Sequence, residues 1–194
     1  GKSKTTDVGI VHRPGFSDQT AYAGAAAIKI LDFFEEYYGI DYPGSKLDLI
    51  AVPDFAMGAM ENVGAVTFRE TLLLIDVEKA TRSELSRSIS VIAHELAHMW
   101  FGDLVTMNWW DGIWLNEAFA SLMEVIASEA TYPEFKLWNE MNQDRSRGFG
   151  VDSLKSSRPV EFEVKSPEEA EEMFDVLTYQ KGSTVLRMFE TFIG

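Results

Sequence analysis

Only three histidines occur in the 194 residues, and two of them stand four positions apart in His94-Glu95-Leu96-Ala97-His98. On a helix, side chains four apart project from nearly the same face, so both imidazoles can reach one ion. Glu95 leaves the helix to the side, where it meets a water on the ion rather than the ion itself. This H-E-x-x-H pattern points to metal-assisted hydrolysis. A catalytic zinc takes three protein ligands and keeps a fourth position open, so one more ligand is required.

The third histidine, His12, lies far upstream in a polar stretch and reads as a surface residue. The missing ligand is therefore expected to be a carboxylate on a neighbouring helix. Glu117, within Trp114-Leu115-Asn116-Glu117-Ala118, is separated from His98 by 18 intervening residues. That interval lets one helix end at Gly102, a loop cross, and a second helix return antiparallel. Glu124 and Glu129 fall on the same second helix and compete for the role; both read better as solvent-facing charge.

The elements that must position these groups follow from periodicity and punctuation. Residues 81–101 form a long helical pattern with Thr81 or Ser83 as N-cap and Gly102 as terminator. Asp111-Gly112 marks a turn before a second helix over 113–130, and Pro133 is a place where a helix can restart. Upstream, apolar residues at helical spacing (Ala25, Ile28, Leu31, Phe34) predict a helix over 21–38, stopped by Gly39. Residues 46–52, 65–68 and 71–75 read as strands. Residues 147–165 are polar, hold two glycines and a proline, and read as loop; a helix is expected from Ser166 and a last one after Gly182. The fold class is α+β, with a strand-rich, mixed N-terminal lobe over about 1–78 and a helical C-terminal lobe over about 79–194. A cleft is expected between the lobes.

Composition narrows the function classes. A formal net charge of −14 disfavours nucleic acid and anionic membranes, because phosphates repel an acidic surface. An acidic cleft instead attracts a metal ion or a free amino terminus. The absence of cysteine removes disulfides, thiolate metal sites and cysteine nucleophiles, and suits a reducing, cytoplasmic location. No signal peptide or membrane segment is apparent; the most apolar candidate, residues 21–34, is too short and is interrupted by Lys29.

With these residues in place, a family resemblance emerges. H-E-x-x-H, followed after 18 residues by the glutamate of an Asn-Glu pair, resembles the gluzincin signature of the M1 aminopeptidases. Gly58-Ala59-Met60-Glu61-Asn62 is similar to that family's G-A-M-E-N motif, and Tyr179-Gln180-Lys181-Gly182 to its Y-x-K-G segment. The motifs occur in the family's order, and His98-Met99-Trp100-Phe101-Gly102-Asp103 also fits.

The resemblance implies a thermolysin-like zinc peptidase catalytic domain filling residues 1–194, excised from a larger multidomain chain whose other domains would be its partners. It implies one Zn2+ per chain on His94, His98 and Glu117, with Glu95 as general base and Tyr179 donating to the oxyanion of the tetrahedral intermediate. Glu61 would bind the free N-terminus of a peptide substrate through a charge-assisted hydrogen bond, making the enzyme an exopeptidase. Gly58, Ala59, Met60 and Asn62 would line the path of the substrate main chain. Met57 would line the first side-chain pocket, core packing being its plainer reading. Lys181 is left as a solvated or structural charge. The rivals are an epoxide hydrolase-type relative using the same zinc constellation, and an inactive or binding-only fragment.

Overall fold

The computed structural model describes residues 1–194 and is α+β. Four strands, β1 (Asp7–Val11), β2 (Lys46–Val52), β3 (Ala59–Met60) and β4 (Ala65–Arg69), form one sheet in the order β1-β2-β4-β3. β1 and β4 run parallel to β2, and β3 pairs antiparallel with β4 at the edge. Helix α1 (Ala21–Tyr38) makes the crossover from β1 to β2. Its buried stripe of Ala23, Ala26, Ala27, Ile30, Leu31 and Phe34 joins the inward residues Leu47, Leu49 and Ala51 of β2 in the main core.

Beyond the sheet the named elements are helical: α2 (Glu70–Leu73), α3 (Arg82–His98), α4 (Ile113–Thr131), α5 (Leu137–Asp152), α6 (Pro167–Glu171) and α7 (Gly182–Ile193), with a π-helical turn at Leu177–Lys181 before α7. The pair α3 and α4 is central. Ile89, Ile92, Ala93, Leu96 and Ala97 of α3 and Ala120, Met123 and Ala127 of α4 all enter the main core. Of the two candidate N-caps for α3, Thr81 is the one used. Its hydroxyl accepts from the Glu84 amide at 3.3 Å, and its own amide donates to the Glu84 carboxylate at 2.8 Å. That reciprocal box satisfies two amides left open at the helix start. No helix is long and apolar enough to cross a membrane.

Three local expectations are corrected. Residues 71–75 are not a strand: Glu70–Leu73 coils into one helical turn. There the Leu74 amide finds the Glu70 carbonyl, and the Leu72 carbonyl takes the Ser88 hydroxyl, so the backbone is satisfied without a strand partner. Residues 147–165 are not all loop, because α5 continues to Asp152. Gly148 reads as a breaker, yet it is buried inside α5, where the helix passes the backbone of Gln180 and Lys181. Helix α3 ends at His98 rather than running to residue 101. Strand β1, whose alternation Gly9 interrupts, has no counterpart among the expected elements.

Candidate active site

The last turn of α3 carries His94, Glu95 and His98, and the second turn of α4 carries Asn116 and Glu117. Antiparallel packing of the two helices brings the three expected ligands together. His94 Nε2 and His98 Nε2 lie 3.2 Å apart, and Glu117 Oε2 is 3.2 Å from the first and 3.5 Å from the second. The turn after α3 makes this possible. Gly102 has φ 141°, and a Cβ there would stand 2.4 Å from Asn116 Oδ1 and 3.1 Å from His98 Nδ1. Only glycine lets the chain turn there while Asn116 remains against it.

Hydrogen bonds on the far side of each ring fix the tautomers. His94 Nδ1 lies 3.1 Å from Glu124 Oε2, and His98 Nδ1 lies 3.0 Å from the Phe101 carbonyl. Both partners are acceptors, so each Nδ1 carries a proton, and whenever a ring is neutral its Nε2 presents a lone pair. Two lone pairs and a carboxylate oxygen therefore face one another in a buried space, an arrangement that repels unless a cation lies between them. Ligands held tetrahedrally at the zinc distance of about 2.0–2.1 Å stand about 3.3–3.4 Å from one another. The observed separations bracket that value, so His94, His98 and Glu117 fit a small divalent metal, and they are the one group of this kind in the chain.

The electrostatics agree. Burial alone lowers the His94 pKa, but hydrogen bonds to Glu117 and Glu124 more than offset it and raise it well above the ordinary imidazole value. His98 behaves alike, burial being outweighed by Glu117. For Glu117, burial opposes ionisation, and the two histidines prevail and hold it far below the usual carboxylate range. The pocket thus draws positive charge to itself, which a proton supplies when a metal does not.

Glu95 is buried, and its Oε2 has no hydrogen-bond partner in the protein. Burial raises its pKa to about 7, with the neighbouring histidines pulling the other way. A buried, unpaired carboxylate beside the ligand set is free to accept a proton. Tyr179, on the π-helical turn, lies over His94 with ring centroids 6.0 Å apart and planes 27° from parallel. Burial, then the nearby charge of Glu117, pushes its pKa far above the phenol value, so its O–H remains a donor throughout the working range.

The turn bearing Tyr179 is pinned by ionic contacts. Lys181 donates to Asp152 at 2.6 Å and to the Arg158 carbonyl at 3.2 Å. Arg158 reaches Asp175 at 2.8 Å, and Asp175 in turn accepts from the Leu177 and Thr178 amides. Lys181 is thus a tether rather than a solvated charge.

Gly58, Ala59 and Met60 lie on and beside edge strand β3, and Glu61 and Asn62 follow it. Asn116 Nδ2 bridges Glu117 Oε1 at 3.0 Å and Glu61 Oε1 at 3.5 Å, so Glu61 sits at the His98 end of the site. Asn62 turns away to the Met60 carbonyl and Thr67. Met57 is 57% exposed at the rim of the cavity that also holds Gly58 and Ala59, so core packing does not describe it. Asp103, with a buried and unpartnered Oδ2, has its pKa raised to about 6 by burial and then by Glu61.

Glu124 corrects its expected role as solvent-facing charge: one oxygen holds His94 Nδ1 and the other takes the Ser90 hydroxyl. The signal was its spacing, seven residues beyond Glu117 on the same helix face and so opposite the same histidine. Glu129 makes no hydrogen bond with either histidine, and His12 bonds only the Arg13 carbonyl.

Comparisons with known proteins point to one family. The description "Peptidase family M1 domain" matches residues 22–194. The chain is 49% identical over 192 residues to "Endoplasmic reticulum aminopeptidase 2" of Homo sapiens, covering 99% of the chain and 20% of that protein. It is 46% identical over 180 residues to "Aminopeptidase M1" of Arabidopsis thaliana, covering 93% of the chain and 20% of that relative. To "Puromycin-sensitive aminopeptidase" of Caenorhabditis elegans it is 47% identical over 176 residues, 90% of the chain and 19% of the relative. The chain therefore spans about a fifth of the length of these curated relatives.

Proposed function

The chain belongs to peptidase family M1, and from that premise we propose that it is the thermolysin-like catalytic core of a zinc aminopeptidase that removes N-terminal residues from peptides. The observation that carries the proposal is the convergence of two lone-pair Nε2 atoms and the Glu117 carboxylate at 3.2–3.5 Å, with the unpartnered Glu95 beside them.

His94, His98 and Glu117 would hold the zinc. When bound, zinc supplies Lewis acidity that polarises the scissile carbonyl and makes water a better nucleophile. Glu95 accepts the proton of the attacking water and returns it to the leaving amine, a task its free carboxylate oxygen suits. Tyr179 donates its O–H to the negative charge developing on the carbonyl oxygen, and burial strengthens that hydrogen bond. Glu61 holds the substrate ammonium at the His98 end, so that the first peptide bond lies beside Glu95. Edge strand β3 offers backbone groups to the substrate main chain, and Met57 stands at the mouth of the pocket.

The chain's share of its relatives' length supports a parent protein with further domains, whose substrates and partners belong to this same proposal. The test is hydrolysis of neutral aminoacyl anilides by the zinc-loaded protein, abolished by a chelator and restored by zinc. N-acetylated versions should resist cleavage because they carry no ammonium for Glu61. Equal cleavage of the acetylated and free forms would assign the site to an endopeptidase.

A further inference from the structure

A cavity of about 300 Å³ opens from His94 and Glu95 and does not include Glu61, His98 or Glu117 among its walls. It runs back along one face of α3, over Val91 to Arg87, beneath Glu124 and Val125 of α4 and Met141 and Asp144 of α5. Arg87 lies seven positions before His94 on the same helix, a rise of about 10 Å. With the substrate ammonium held by Glu61 at the opposite, His98 end, the chain after the cut bond must enter this cavity and travel towards Arg87. A peptide advances about 3.3–3.6 Å per residue. Arg87 therefore meets the first or second residue on the leaving side once its own side chain reaches back.

The charges lining the cavity are unequal in availability. Both oxygens of Glu124 are engaged, by Ser90 and His94. Asp144 is paired with Arg147 at 3.0 Å. Arg87 has neither an ion pair nor a hydrogen-bond acceptor, although Asp144 is near enough to feel its charge. In a chain of net charge −14, Arg87 is an exposed residue on the wall of the catalytic cavity, and its unpaired guanidinium is a cation with all its donors open.

We propose that Arg87 is a specificity-determining residue that binds a carboxylate on the leaving side of the substrate. It presents the fork that receives a carboxylate through two parallel hydrogen bonds. This inference rests on the aminopeptidase reading above and on Glu61 setting the direction of the substrate. The carboxylate can be an acidic side chain next to the cut bond or the C-terminus of a very short peptide.

The test uses the zinc-loaded, full-length protein and two matched pairs of substrates. Leu-Glu-Ala-Ala amide against Leu-Gln-Ala-Ala amide isolates the side chain, and Leu-Ala against its amide isolates the C-terminus. The expected result is a kcat/KM about tenfold higher for the carboxylate-bearing member of at least one pair, falling to a ratio near one in Arg87→Gln. Arg87→Glu should invert the preference, an outcome that general loss of packing does not produce. Equal rates within both pairs in the wild type, or ratios unchanged by either variant, would overturn the proposal while leaving the aminopeptidase reading intact. A preference for Lys over Gln at that position, erased by Asp144→Asn, would overturn it in favour of a cation subsite. A wild-type protein that cleaves none of these peptides and no aminoacyl anilide would remove both readings together.

Discussion

The two halves of the site are built differently. The three expected metal ligands come from α3 and α4, whose apolar faces enter the main core and whose ligands are themselves buried or nearly so. Tyr179 comes from a C-terminal region in which α5 buries only Leu137 and Gly148, and α7 only Gly182 and Ser183. Phe149, Met188, Phe189 and Phe192 are all exposed there. Packing fixes the ligands, whereas the tyrosine's turn is held both by the buried Leu177 and Thr178 and by ion pairs through Lys181 and Arg158. The contrast teaches that metal capture and turnover should fail separately: changes on α3 and α4 act on the metal, and changes around the π-helical turn act on the chemistry alone. Glu95 is the exception, lying on the metal-binding helix with a role confined to turnover.

Glu95→Gln should give the largest effect, lowering kcat by about 10²–10⁴-fold with zinc content unchanged. Loss of zinc from this variant would make Glu95 part of the metal-binding half. The acid limb of kcat/KM carries the same residue: Glu95 works only when ionised, so activity falls as pH drops through its pKa. That pKa is about 7 in the metal-free site. A dication nearby favours the ionised form, so the limb of the zinc enzyme should lie below 7. An acid limb above 7 in the zinc enzyme would contradict that role. Tyr179→Phe comes next, with kcat reduced about 10²–10³-fold and both zinc content and thermal stability preserved.

Glu124→Ala should weaken zinc about 10–100-fold, because it frees His94 Nδ1 and with it the orientation of the ring. Competition with a chromogenic chelator reads this directly, and unchanged affinity would return Glu124 to an ordinary surface charge. The smallest effect is expected at Lys181, where the ion pair is partly exposed and worth little by itself. Lys181→Ala should lower kcat about threefold without altering zinc affinity, with Lys181→Arg restoring it. A change in zinc affinity at Lys181 would erase the division between the two regions.

Much of this contrast was legible in the sequence. The spacing of His94, His98 and Glu117 requires two facing helices, and α3 and α4 are those helices, because helical periodicity and caps are local properties. Sequence alone leaves Glu124 as a solvent-facing charge and Lys181 as either a solvated or a structural one, because their partners, His94 and Asp152, are fixed by tertiary packing 30 and 29 residues away. The same limit explains α5. Gly148 and Gly150 weaken a helix considered alone, and α5 runs through both where it packs against the Tyr179 turn, a neighbour fixed only by the tertiary fold. The run Thr71–Ile75 has strand-like residues, but the chain coils at Glu70–Leu73 directly after β4, and the Leu74 and Ile75 amides donate to the Glu70 and Gln19 carbonyls rather than to a strand.

Metal titration of the purified protein followed by thermal unfolding tests the central claim most directly. The expected result is one zinc per chain. Zinc at a thousandfold excess over its Kd should add about 4 kcal/mol of stability to the wild type, and the gain should vanish in His98→Ala and Glu117→Ala. Full zinc content and an undiminished gain in stability in both variants would contradict it, placing the metal somewhere other than between the two imidazoles and the carboxylate.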